Sequence, residues 1–88
     1  MVRKSSESLR ATLAENIKAF RKEKGISQEE LAERCGLHRT YIGSVERQER
    51  NVTLSTLEVL SESLGVTVPE LITKRESLSS DVQMGEIE

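Results

Sequence analysis

Leu9, Leu13, Ile17 and Phe20 recur at steps of four, four and three, the spacing of one apolar stripe on an α-helix. Arg10, Lys18 and Lys22 fall off that stripe, and Gly25 supplies a stop. Ser27-Gln28-Glu29-Glu30 then reads as a capping box, in which Ser27 accepts from a free helix N–H and Glu30 reaches back. The helix it opens turns Leu31, Ala32 and Cys35 inward and breaks at Gly36-Leu37 after barely two turns. A third helix is predicted from near His38 to about Arg47. A fourth opens on a second box, Ser55 with Glu58, buries Leu57, Leu60 and Leu64, and ends at Gly65. Thr67-Val68-Pro69-Glu70 is a third box, its proline in the first turn where a missing N–H costs little, and Leu71 and Ile72 follow.

Outside this run the periodicity fades. Residues 1–7 read as a flexible N-terminal arm and residues 8–75 as one domain. Residues 76–88, dominated by serine and acids with no apolar period, read as an acidic, disordered tail. A chain of 88 residues has room for one small domain with a marginal core, which often leans on staples, metals or a second copy of itself. Cys35 is the only cysteine, so no internal disulfide forms, and Cys35 with His38 falls short of a zinc ligand set. No metal or cofactor is expected. Phe20 and Tyr41 are the only aromatic residues, too few for a typical sheet, so the expected class is all-α: a compact five-helix bundle. No apolar run approaches the roughly 20 residues of a membrane span, and no secretory segment is visible. The expected setting is a reducing cytoplasm.

The net charge of −2 conceals a gradient. Residues 1–25 hold seven basic groups against three acids, residues 26–53 hold four against five, and residues 54–88 hold two against seven. Overall acidity argues weakly against nucleic acid, yet the basic positions could share one face.

Residues 26–51 decide the matter. Two short helices joined by a glycine turn form a helix-turn-helix. On a wheel, Arg39, Thr40, Gly43, Ser44 and Arg47 share one side of the second helix, while Tyr41, Ile42 and Val45 occupy the other. Arginine grips guanine O6 and N7 with two parallel bonds, and a threonine or serine hydroxyl bonds either kind of base. Gly43, lacking a side chain, would let the helix axis approach a major groove. Arg, Ser and Thr are also common on solvated faces, but such a face more typically carries Glu–Lys pairs, which are missing here.

The chain resembles the helix-turn-helix DNA-binding domains of the Cro and phage-repressor type over residues 9–73. More narrowly, HRTYIGSVERQERN followed by VTLSTLEVL is similar to controller proteins of bacterial restriction–modification systems. The resemblance implies that Arg39, Thr40 and Ser44 face base edges and that Gln28 bonds a phosphate. It places Tyr41, Arg47, Arg50 and Asn51 at or near the DNA backbone and makes Arg21 and Glu46 an internal salt bridge. It also implies a homodimeric, autoregulatory protein that activates at low occupancy and represses at fuller occupancy. Gln48 departs from the family pattern, where Gly or Asn is frequent, at the expected end of the recognition helix.

His38 reads as a local cap or a phosphate contact, and Cys35 as a buried inert thiol. No serine has a His and acid partner, and no glycine-rich phosphate loop is present, so an enzyme is not expected. Glu29 and Glu33 sit at i and i+4, where like charges cost a few tenths of a kcal/mol. They serve either solubility or, as in activating phage repressors, a contact with the sigma subunit of RNA polymerase. Two copies would read half-sites about 34 Å apart on a pseudo-palindromic operator. Val66, Val68, Leu71 and Ile72 are the apolar residues available for their seam. The rival functions are a prophage repressor or antitoxin-like regulator and, from another class, a protein–protein module that never reads DNA.

Overall fold

A computed structural model of the chain describes residues 5–74, with side chains from residue 9 onward. Five helices follow in order: α1 Ser5–Lys24, α2 Gln28–Cys35, α3 Arg39–Glu46, α4 Leu54–Leu64 and α5 Val68–Ile72. The expected acidic tail at 76–88 lies outside the described residues, as do the first four residues of the expected arm. α1 begins at Ser5, inside the segment read as an arm. Apolar periodicity marks only the buried part of a helix, so a polar leading turn leaves no such trace.

Local chemistry sets the boundaries. Ser27 accepts from the N–H of Glu30 at 3.0 Å and caps α2. The reciprocal half of that expected box is missing, because the Glu30 carboxylate pairs with Arg34 one turn on, at 2.8 Å. Thr67 and Glu70 form the complete box at α5. At α4 the cap is Thr53, not Ser55: its Oγ1 takes the N–H of Thr56 at 3.1 Å, and the helix starts two residues earlier than expected. Gly25, Gly36 and Gly65 all have φ near +70°, the left-handed conformation in which an L side chain is strained.

All five helices contribute to one core. Ile17, Leu31, Ile42, Leu60, Leu64 and Leu71 are fully buried, each contributing about 1.5–3 kcal/mol of burial free energy. Leu71 belongs to this core, which corrects its expected place at a seam between two copies: α5 packs on α1 and α4, and Leu71 points into that packing. Asn16 is the polar exception on the inner side of α1, 2% exposed. Its Nδ2 donates to the carbonyls of Glu70, Leu71 and Thr73 at 3.2, 2.8 and 2.9 Å. These belong to the end of α5, where carbonyls lack helical partners, so a side chain of α1 caps α5.

Candidate nucleic-acid interface

α2 and α3 pack against each other across the turn at residues 36–38, with α1 behind α3 and α4 behind α2. His38 caps α3, its Nδ1 lying 3.3 Å from the N–H of Thr40 and 2.6 Å from the Thr40 Oγ1. His38, Arg39 and Thr40 are all exposed, and Arg39 has no hydrogen-bond or ionic partner among the described residues. The first turn of α3 therefore offers a guanidinium and a hydroxyl to solvent.

The other end of α3 is locked. Glu46, with its side chain 4% exposed, accepts from Arg21 Nε at 2.8 Å and Arg21 Nη2 at 3.0 Å. Gln28 Nε2 donates to the same carboxylate at 2.8 Å, and Arg21 Nη1 reaches the Ile26 carbonyl at 3.1 Å. One carboxylate thus joins α1, α2 and α3, and a charge-assisted pair of this geometry fixes orientation as well as distance. The resemblance implied the Arg21–Glu46 pair; Gln28 as the third member had no sequence signal. Its amide is turned toward Glu46 rather than fully outward.

Two expectations about the exposed side of α3 are corrected. Ser44 is buried, and its hydroxyl is spoken for: it donates to the Tyr41 carbonyl at 2.8 Å and accepts from Arg50 Nε at 3.0 Å. It faces the loop after α3, not outward beside Thr40. Gly43 is not open space either, because a Cβ there would stand 3.2 Å from Arg47 Nη1 and 3.6 Å from Gln28 Oε1. The missing side chain makes room for the protein's own Arg47 and Gln28.

The loop after α3 carries the remaining polar groups. Gln48 adopts φ +65°, the only non-glycine in left-handed backbone among the described residues. The turn sends Arg50 back over the Tyr41 ring, 4.9 Å from its centroid, with Ser44 holding its Nε. Arg47 is exposed and pairs with Glu49 at 3.1 Å. Asn51 accepts from Arg10 at 3.0 Å, tying the loop to α1. Arg39, Thr40, Arg47, Arg50 and Asn51 thus stay at the surface on α3 and the loop it feeds.

On α2, Glu29 and Glu33 are both exposed, beside the Glu30–Arg34 pair. Cys35 is half-buried and donates to the Ser63 hydroxyl at 3.2 Å. Burial pushes its thiol pKa up while the hydrogen bond pulls it part of the way back, which limits the reactive thiolate. Val66 and Val68 are half-buried against the core, and Ile72 is 37% exposed. Among the described residues no group of three or more His, Cys, Asp or Glu side chains is placed to hold a metal. No helix among them is long and apolar enough to cross a membrane.

A helix-turn-helix family model matches residues 17–71, well over half of the chain. The chain belongs to the helix-turn-helix family. Within it, the Control protein C.SmaI of Serratia marcescens is 57% identical over 67 residues, spanning 76% of this chain and 80% of that one. A hypothetical transcription factor, NHTF from Neisseria, has a crystal structure that matches with a TM-score of 0.75 at 49% identity, covering 80% of this chain and 82% of its own. The restriction-modification controller protein C.Esp1396I was solved as a tetramer on its natural 35-base-pair operator. It matches with a TM-score of 0.64 at 36% identity, covering 74% of this chain and 96% of its own. Restriction–modification controllers, named through the HRTYIGSVERQERN stretch, are thus among this chain's relatives.

Proposed function

We propose that the chain is a sequence-specific DNA-binding regulator of transcription, of the controller type, acting as a homodimer on a pseudo-palindromic operator. One observation carries this reading: α3 is pinned at its C-terminal end by the Arg21–Glu46–Gln28 cluster while its first turn presents Arg39 and Thr40 to solvent. Such a helix can enter a major groove with its N-terminal residues at base edges, which is how helix-turn-helix proteins dock. Arg39 reads a guanine and Thr40 an adjacent base. Arg47, Arg50, Asn51, Tyr41, His38 and the free half of the Gln28 amide lie where phosphates would run. Ser44 acts through Arg50, holding its guanidinium over Tyr41.

That C.Esp1396I engages its operator as a tetramer supports multiple copies on one DNA here. A single short helix makes few base contacts, each worth about 1–3 kcal/mol, and a second copy doubles them. Half-buried Val66 and Val68, with Ile72, remain the apolar residues for a seam between copies. Glu29 and Glu33 reach the sigma subunit of RNA polymerase when the dimer activates, which their exposure on α2 permits. No step of this function is catalytic.

The test is a binding titration of upstream DNA and of scrambled DNA at two salt concentrations. Specific retention of the upstream fragment at the higher salt is expected; equal, weak binding of both would favour a protein-docking module. Sedimentation at tens of micromolar should show a dimer. The Glu29→Lys, Glu33→Lys double variant should keep operator affinity and lose activation in a transcription assay.

A further inference from the structure

The hydrogen bonds in the first turn of α3 have a fixed direction. His38 Nδ1 lies 3.3 Å from the backbone nitrogen of Thr40 and 2.6 Å from the Thr40 hydroxyl oxygen. A backbone N–H only donates, so Nδ1 is the bare nitrogen of the ring and the ring proton sits on Nε2. A bare nitrogen 2.6 Å from an oxygen needs the hydroxyl proton between them, since otherwise two lone pairs would face each other. Thr40 therefore donates to His38, and its single hydroxyl proton is committed. The exposed oxygen is left with lone pairs alone.

We propose that His38 makes Thr40 a one-way reader, which accepts from the amino group of adenine or cytosine and rejects the keto oxygen of guanine or thymine. This role rests on the DNA-binding reading and deepens it. In the major groove adenine N6 and cytosine N4 are donors, whereas guanine O6 and thymine O4 are acceptors. A threonine hydroxyl with no partner rotates to suit either and carries little information. Held by Nδ1, the same hydroxyl sets lone pairs against a keto oxygen. Every Watson–Crick pair shows one amino and one keto edge in that groove, so the fixed polarity decides which strand of the pair faces Thr40. The same tautomer leaves Nε2–H, which has no partner among the described residues, as a donor to a phosphate oxygen. A phosphate there would hold the proton on Nε2 and keep Nδ1 bare for Thr40. His38 is thus a positioning residue, acting on the base through the hydroxyl it orients.

The direction of the bond is tested without DNA by ¹⁵N NMR of the uncharged His38 ring, the only histidine of the chain. Protonated Nε2 and bare Nδ1 are expected; a protonated Nδ1 overturns the proposal. The base preference is tested on a duplex that the unaltered chain selects from a random-sequence library, with single groups of its bases then altered. Purine for adenine or pyrimidinone for cytosine removes the amino group, and thiothymine or thioguanine replaces the keto oxygen with sulfur, a weak acceptor. At one pair, removing the amino group should weaken binding about tenfold in the unaltered chain and not in Thr40→Val. A Thr40-dependent loss that follows a keto oxygen, or none at any pair, overturns the proposal. His38→Asn keeps an acceptor beside Thr40 and should retain the amino-dependent loss. His38→Ala frees the hydroxyl, and inverting that pair should then cost several-fold less than it costs the unaltered chain. If His38→Ala instead weakens every duplex alike, His38 is a helix cap only and the proposal falls. If the library yields no retained duplex, the DNA-binding reading fails and the base preference with it, while the NMR result still decides the direction of the His38–Thr40 bond.

Discussion

At its C-terminal end α3 commits Glu46 to three hydrogen bonds that join it to α1 and α2, whereas about 10 Å away along the helix Arg39 has no hydrogen-bond or ionic partner among the described residues. The two ends face opposite demands. A helix that reads base edges has to be held within a fraction of an ångström, and the groups that read have to be free to meet their target. Eight residues separate the tasks by placing all the fixing charge at one end and the unpaired charge at the other. Binding loss should therefore take two forms along one helix: uniform loss from the locked end and base-specific loss from the open end.

The largest effect is expected from Glu46→Ala. It leaves the Arg21 guanidinium, 15% exposed, and the Gln28 amide without their shared acceptor. Removing one partner of a buried ion pair costs about 3–5 kcal/mol, and the partial exposure of Arg21 puts this case at the lower end. Urea denaturation should show that loss in the midpoint, and any DNA affinity that survives should fall alike for every sequence. In a cycle with Arg21→Ala, the double variant should be much less destabilised than the two single losses combined. Simple additivity would mean that the two ends of α3 are not held differently.

Arg39→Ala is the opposite experiment. Stability should be unchanged, because the side chain is exposed and has no hydrogen-bond or ionic partner among the described residues. Operator affinity should fall by about 1–3 kcal/mol, with preference relaxed at a single guanine. A uniform loss over all sequences would demote Arg39 to a phosphate contact.

How far the sequence announced this division can be read from particular residues. The apolar stripe, the Ser27 and Thr67 caps and the glycine stops were legible because each depends on chemistry within a few residues. Ser44 was misplaced because a wheel records direction around the helix axis, not what the following loop brings back over it; Arg50, six residues on, covers it. Gly43 misled for the same reason, its space being filled by Arg47 and Gln28. Ser55 lost its capping role to Thr53 because both lie in one run of hydroxyl residues, and pattern alone does not choose between them. Asn16 was passed over although it falls beside Leu13, Ile17 and Phe20 on the apolar arc, where a lone amide signals a buried partner.

Arg50→Ala should produce a smaller, uniform effect. The guanidinium lies over Tyr41 and on Ser44, facing the expected backbone path. Its removal should weaken binding to all sequences similarly and lower the salt slope by about one unit. If the slope stays fixed while one base preference relaxes, the loop belongs with the reading end of the helix, and the comparison has to be redrawn.

The smallest expected change lies between the two regimes, at Gln48. Its φ of +65° places an L residue in left-handed backbone, where the Cβ crowds the following carbonyl at a cost of about 1–2 kcal/mol. Glycine relieves that crowding but restores flexibility to the unfolded chain, so Gln48→Gly should stabilise by a net of about 0.5–1 kcal/mol. The turn it completes is set by hydrogen bonds from the N–H groups of Gln48 and Glu49 to the carbonyls of Val45 and Ser44, and none of these needs the glutamine side chain. Arg50 should then return to Tyr41 as before, and DNA affinity should not move. A rise in thermal midpoint with unchanged binding would show that the loop is positioned by its backbone alone. A rise accompanied by weaker binding of every sequence would mean that the strained turn helps aim Arg50, extending the locked part of α3 through residue 48 into the loop.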